Sequence, residues 1–300
     1  MNRCGEIERS IITTYRKTIW SRFVRAVKEY ALVSEGDRIA ACISGGKDSM
    51  LLAKCLQELQ RHGEAGFSLE FLVMDPGYAP ANRALIEENA RLLELPVHIF
   101  ETQIFDAVTS VQKNPCYLCA RMRRGYLYEE AKKLGCNKIA LGHHFNDAIE
   151  TILLGIFYGG QMQGMPPKLK STSHPGMQLI RPLYYVHEED IVRWKNHNGL
   201  NFLRCACKFT ENCAVHEEDS KRYEMKKLIA EMKKTNPNAD ISIFRSACNV
   251  HVDTLIEYDS KGRRPPFWGG FEEEKRPCRA PFCRRAAIFY RKSGKNALMS

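Results

Sequence analysis

Ser44, Gly45, Gly46, Lys47, Asp48 and Ser49 are consecutive and together carry the donors that a phosphate group needs. The paired glycines let backbone N–H groups approach phosphate oxygens without an intervening Cβ. Lys47 adds a full positive charge, and the hydroxyls of Ser44 and Ser49 can donate. Upstream, the apolar run Arg38–Ile43 reads as a buried strand, and downstream Met50–Ala53 reads as the first turn of a helix. A strand, a glycine turn and a helix start make an anion site, because the first N–H groups of a helix lack intrahelical partners and its dipole adds positive potential. The spacing is not that of the common P-loop, which ends in Gly-Lys-Ser or Gly-Lys-Thr.

A second chemistry is carried by cysteines. Cys116 and Cys119 form a C-x-x-C pair at a predicted helix start, a spacing that lets two thiolates share one metal or cluster. The helix N-terminus lowers thiol pKa, which favours ligation and sulfur chemistry. Cys205, Cys207 and Cys213 can supply the missing ligands. Spacing alone leaves zinc, an iron–sulfur cluster and a redox dithiol open. Cys278 and Cys283 read as unpaired thiols because their spacing is irregular, with a tail-pinning zinc site as the alternative. Cys4, Cys42, Cys55, Cys136 and Cys248 read as small packing residues.

The elements that must position these groups alternate along the chain. Ile7, Ile11, Tyr15, Ile19, Phe23, Val27 and Tyr30 give one helical stripe over Ile7–Val33. After the first strand come a helix to about His62, a strand Ser68–Asp75, a helix Ala81–Leu95, a strand Val97–Glu101 and a helix Cys116–Leu134. A strand Lys138–Gly142, a helix Asp147–Phe157, a strand Gln178–Leu183 and a helix Glu188–Asn198 follow. Such alternation predicts an α/β fold: a doubly wound, mostly parallel sheet with an N-terminal helix and a small, mainly helical C-terminal extension. Ligands of such sheets bind at the C-terminal ends of the strands. That rule places Ser44–Ser49, the Asp75 end and Gly142-His143-His144 on one rim. Beyond Cys213 the pattern changes to a basic helix Ser220–Lys234, a helix Ile241–Val252 and a Pro/Gly-rich basic tail. Expected boundaries are an N-terminal helical segment at 1–35, a nucleotide domain carrying the cysteines at 36–215, and a basic extension at 216–300.

Composition bounds the partners. The net charge of +10 favours polyanions, nucleic acid above all. No apolar run approaches the ~20 residues of a membrane span, and Met1–Glu6 lacks a signal-peptide core, so a cytoplasmic protein is expected. Twelve cysteines in a reducing compartment read as thiols or metal ligands.

Ser44–Ser49 resembles the signature of the PP-loop ATP pyrophosphatases, which cut ATP between its α- and β-phosphates and adenylate a substrate oxygen. Together with Pro115–Tyr128, Ile139–Asp147, Phe157–Lys168 and Ile180–Leu183, it is similar to the tRNA 2-thiocytidine synthetase family of that superfamily, over about residues 20–215. The resemblance implies ATP-dependent thiolation of cytidine 32 in the tRNA anticodon loop. It implies catalytic roles for Lys47, Asp48 and Asp147, with Mg2+ near the two carboxylates; capping of its helix is the alternative for Asp48. ATP would meet Ser44, Gly45, Gly46, Lys47, Asp48, Ser49, Asp75, Gly142 and His143, while His144 serves either the site or local structure. A 4Fe-4S cluster is implied on Cys116, Cys119 and Cys205. Cys207 is the alternative third ligand, since this chain has Cys205-Ala206-Cys207-Lys208 where the family carries a second C-x-x-C. Arg121, Arg123, Arg124 and Lys168 are candidate tRNA phosphate contacts or solvated charges. A sulfur donor such as a cysteine desulfurase system is implied as a partner, and family precedent suggests a homodimer. Two rivals remain: the same chemistry on another tRNA base or a small molecule, and a zinc-stapled nucleotide-binding module without catalysis.

Overall fold

The computed structural model describes residues 2–104, 115–203 and 221–259, with backbone alone at 115–120 and 253. The chain divides into two compact units, Met1–Cys248 and Asn249–Ser300. In the second, the described residues contain a 3-10 turn at Val252–Thr254.

The first unit is built on a six-stranded sheet. Its strands are β1 (Arg38–Ile43), β2 (Ser68–Asp75), β3 (Val97–Glu101), β4 (Lys138–Ala140), β5 (Lys168–Lys170) and β6 (Gln178–Ile180), in the spatial order β3-β2-β1-β4-β6-β5. All pairings are parallel except β5 with β6. The order reverses between β1 and β4, which makes the gap above them the ligand crevice of such a sheet.

Beyond Arg38, strand β1 is apolar and buried because helices cover both faces. Ile39, Ala41 and Ile43 join one core with the N-terminal helices and the helix that follows the glycine turn; Ala40 and Cys42 join another with Tyr128 and Ala131. This is the period-two alternation of a strand expressed on two buried faces.

The α-helices among the described residues are α1 (Arg3–Ile12), α2 (Ser21–Glu29), α3 (Lys47–His62), α4 (Pro80–Leu92), α5 (Pro115–Lys133), α6 (Phe145–Gly159), α7 (Glu188–His197), α8 (Lys221–Thr235) and α9 (Ala239–Ser246). The single helix expected over Ile7–Val33 is instead α1, a π-helical turn at Arg16–Trp20 and α2. The break falls at the β-branched pair Thr13-Thr14, where the Thr13 hydroxyl donates to the Arg9 carbonyl and the Tyr15 N–H reaches back to Ser10. Its apolar stripe still holds: Ile7, Ile11, Ile19, Phe23 and Val27 are buried in the same core as β1 and α3.

Strand β5 was not expected; its Lys-Leu-Lys sequence is too short to show a period. The strand foreseen over Gln178–Leu183 ends at Ile180, ahead of Pro182, which has no N–H to donate. The helix foreseen over Ile241–Val252 runs from Ala239 to Ser246 and closes with a Cys248 N–H bond to the Arg245 carbonyl. Helices α8 and α9 pack on α6 through Met225, Ile229 and Phe244 against Phe145, Ile149 and Leu153.

Candidate active site

The glycine turn sits where β1 gives way to α3. Gly45 has φ +84, and a Cβ there would lie 2.7 Å from Ile86 Cγ1 and 2.9 Å from Leu203 Cδ1, so only glycine fits. Gly46 is the N-cap of α3 and caps with no side chain, which leaves the first N–H groups available to an anion. Ser49 braces the turn: its hydroxyl donates to the Gly46 carbonyl at 3.0 Å, accepts the Ser44 N–H at 3.1 Å and lies 3.2 Å from the Ser44 hydroxyl.

Gly142 follows β4 and touches the same helix start. A Cβ at Gly142 would meet Ser49 N at 2.9 Å and the Asp48 carbonyl carbon at 3.0 Å. Its lack of a side chain lets the β4 end lie directly against the first turn of α3.

Beyond Gly142, His144 caps α6 in a capping box: the Asp147 N–H donates to His144 Nδ1, and the His144 N–H donates to Asp147 Oδ2 at 3.0 Å. Because Nδ1 accepts, the ring proton of a neutral His144 lies on Nε2, which faces Asp48 Oδ1 at 3.8 Å. The structural role is therefore the one visible for His144. His143 is half-buried with its Nδ1 enclosed and unpartnered. Burial, aided by Arg181 and Arg222, pushes its pKa down to about 4 despite nearby Asp147, so the ring is neutral at pH 7. Burial alone would raise Asp147, but both histidines, the His144 N–H and Arg222 hold it below the usual carboxylate range.

These groups line a cleft of about 490 Å3 at the C-terminal edge of β1 and β4. Ser44, Asp48, Ser49, Gly142, His143 and Asp147 face it, joined by Arg123 and Arg124 from α5 and by Arg181 from the end of β6. Arg181 is buried, donates to the Pro166 carbonyl and keeps Nε without a partner. Burial and the neighbouring Arg124 charge push its pKa down to about 10, so it remains a cation at neutral pH.

Lys47 adjoins the cleft but is turned sideways, 3.1 Å from both Asp48 Oδ2 and Glu188 Oε1. These two carboxylates outweigh burial and raise its pKa. Asp75 is elsewhere: its carboxylate accepts the N–H groups of Gly77 and Tyr78 and pairs with Arg83 at 2.6 Å, beside a separate, smaller cleft. Its neighbour Met74 lines the main cleft. Arg121 is exposed and is not among the cleft-lining residues, and Lys168 donates to the Ala31 carbonyl. Cys116 and Cys119 occupy the first turn of α5; Cys205, Cys207, Cys213, Cys278 and Cys283 lie outside the described residues.

Sequence reasoning passed over Arg181, which reads as a lone cation in an apolar stretch, and Glu188, which reads as an ordinary acid in a first helical turn. The signal available for Arg181 was its place in the C-terminal half of a predicted strand, near where the sheet rule puts ligands.

The arrangement can hold a polyphosphate at a helix start, surround it with guanidinium groups and keep two carboxylates beside it, which suits an α/β nucleotide-binding protein. Residues 16–207 match the PP-loop domain family. A tRNA-cytidine(32) 2-sulfurtransferase from Pelobacter propionicus is 35% identical over 241 residues, covering 79% of this chain and 87% of its own length. One from Vibrio vulnificus is also 35% identical over 241 residues, covering 78% and 74%. The fold resembles that of the U34-tRNA thiolase NcsA from Methanococcus maripaludis, solved with its 4Fe-4S cluster, at 18% identity and a TM-score of 0.59 over 76% of each chain. The chain belongs to the tRNA-cytidine(32) 2-sulfurtransferase family of PP-loop proteins.

Proposed function

We propose that this chain is an ATP-dependent tRNA thiolase that replaces the C2 oxygen of cytidine 32 with sulfur. The observation that carries the reading is one cleft bringing together the Ser44–Ser49 turn, the His143–Asp147 corner and the arginines of α5, the helix that opens with Cys116 and Cys119. Membership of the sulfurtransferase family supports the substrate.

Oxygen at C2 leaves poorly. Attack of that oxygen on the α-phosphate of ATP forms an O–P bond and releases pyrophosphate, and displacement by sulfur then expels AMP together with the oxygen. The free N–H groups at the start of α3 and the Ser44 hydroxyl bind phosphate oxygens, and Arg181 and Lys47 offset the charge that grows on pyrophosphate. Neutral His143 can donate or accept a hydrogen bond without adding charge. Asp48 and Asp147 would hold Mg2+ beside the phosphates, where it would offset their negative charge. Two carboxylates suit Mg2+, which usually takes one or two protein carboxylates together with substrate phosphates and water. Arg123 and Arg124 are suited to RNA phosphates at the cleft mouth, and an anticodon-loop base reaches such a cleft at low cost because it is easily splayed.

Cys116 and Cys119 suit a cluster in chemistry, and their backbone positions are in register with the cleft. The helical positions 116, 119, 123 and 127 fall on one stripe of α5, and Arg123 and Leu127 of that stripe line the cleft. Cys116 and Cys119 would hold a 4Fe-4S cluster with Cys205, or with Cys207 in its place. When bound, such a cluster with one iron free of protein ligands supplies reduced sulfur as a nucleophile. A cysteine desulfurase system is the natural source of that sulfur, and a cytoplasmic homodimer is the expected form. No helix among the described residues is long and apolar enough to cross a membrane.

The test is anaerobic purification with iron, sulfide and zinc analysis, followed by incubation with ATP, a sulfide donor and unmodified tRNA. Brown protein and 2-thiocytidine in the nucleoside digest are expected. Colourless protein with stoichiometric zinc, or sulfur on a different nucleoside, would overturn the assignment.

A further inference from the structure

Lys47 belongs to a closed circuit of charged and polar side chains that the loop alone does not explain. From Lys47 the circuit passes to Glu188 at 3.1 Å and on to Lys226, whose Nζ lies 3.0 Å from Glu188 Oε2 and 3.9 Å from Glu150. Arg222 joins Glu150 at 2.7 Å to Asp147 at 3.1 Å. Asp147 caps His144, which faces Asp48, and Asp48 returns to Lys47. Lys226 and Arg222 both come from α8, beyond residue 207 where the PP-loop match ends. Glu188 is fixed from behind: its N–H donates to the Asn146 side chain of α6 at 3.0 Å.

Each oxygen of Glu188 thus serves a different lysine. A phosphate arriving at the α3 N-terminus competes with Glu188 for the Lys47 ammonium, and Lys226 competes with Lys47 for Glu188. We propose that Glu188 and Lys226 are positioning residues of the phosphate site, Glu188 holding the Lys47 ammonium and Lys226 setting how firmly it is held. The inference rests on reading Ser44–Ser49 as the ATP site. The two lysines are partly exposed and the carboxylate is shared, so the effect is that of a partly solvated ion pair.

The opposed geometry gives an opposed signature. Binding of a non-hydrolysable ATP analogue with Mg2+ to the full-length protein is measured by titration calorimetry. Glu188→Gln removes the competitor and is expected to tighten binding about two- to fivefold. Lys226→Met leaves the whole Glu188 charge to Lys47 and is expected to weaken binding by a similar factor, with Lys226→Arg restoring it. In the double variant the Lys226→Met effect disappears, because its route through Glu188 is gone. A general loosening of the fold would move both single variants in the same direction. Shifts of one sign, no shift, or a Lys226→Met effect that persists without Glu188 would overturn the inference. An unaltered protein that fails to bind the analogue, or a Lys47→Ala variant that binds it equally well, would instead overturn the ATP-site reading, and the inference with it.

Discussion

The close approach of Gly142 to α3 yields a sharp prediction for Gly142→Ala. The added methyl would sit 2.9 Å from Ser49 N, 3.0 Å from the Asp48 carbonyl carbon and 3.1 Å from Ser49 Cα. All three are backbone atoms of the helix start, so no side chain can swing away. Ordinary contact near 3.4 Å requires the β4 end or the first turn of α3 to retreat by about 0.5 Å, and reaction rates fall steeply with misplacement of that order. Overpacking of this kind costs about 1–3 kcal/mol of stability. Turnover should fall about tenfold or more, because the displaced N–H groups are those proposed to hold phosphate. Pyrophosphate release and analogue binding read the site, and denaturant unfolding reads the fold. Gly46→Ala is the control. Its Cβ would find nothing closer than 3.6 Å, and its φ is negative, so stability should hold. Any loss of ATP binding there reports how near the phosphate comes. Wild-type turnover and stability in Gly142→Ala would refute the claim that contact between β4 and α3 sets the site.

Other outcomes are equally specific. His143 has a folded pKa near 4 against an ordinary 6.5; the unfolded chain therefore binds more protons in that window, and stability should fall as pH drops from 6.5 towards 4. His143→Gln should flatten this part of a Tm-against-pH profile, and an unchanged slope would count against it. Asp37 accepts from buried Lys138, from Asn137 and from the Ser34 N–H at the N-terminal end of β1, away from the cleft. Asp37→Ala should cost about 3–5 kcal/mol while leaving ATP affinity intact in the folded fraction, checked by urea unfolding and calorimetry. Cys205→Ala and Cys207→Ala, analysed for iron without oxygen, should differ: loss of iron in the first alone assigns Cys205, and loss in the second alone assigns Cys207.

The strand–turn–helix that carries Ser44–Ser49 was legible because its signals are local: an apolar strand, two glycines and a helix start. The α/β alternation was legible for the same reason. The break at Thr13-Thr14 was not, because the apolar stripe runs in phase through it and only backbone hydrogen bonds record the π-helical turn. Strand β5 owes its existence to β6 rather than to its own sequence. Asp75 stands at the rim where the sheet rule puts ligands, and its carboxylate, held by Gly77, Tyr78 and Arg83, has partners that only the folded turn brings to it. Glu188, Arg222 and Lys226 were illegible as partners because their pairing with Lys47 and Asp147 spans many residues and depends on how α8 packs across α6.

Strand β5 also bears on self-association. It closes one side of the sheet with three residues, runs against its neighbour and presents Lys168 and Lys170 at that margin. A second copy adding there about a two-fold axis would set lysines against each other across the new pairing, an arrangement that natural sheet margins use to discourage continuation. The β5 margin is therefore a poor place for a second copy of this chain to lengthen the sheet.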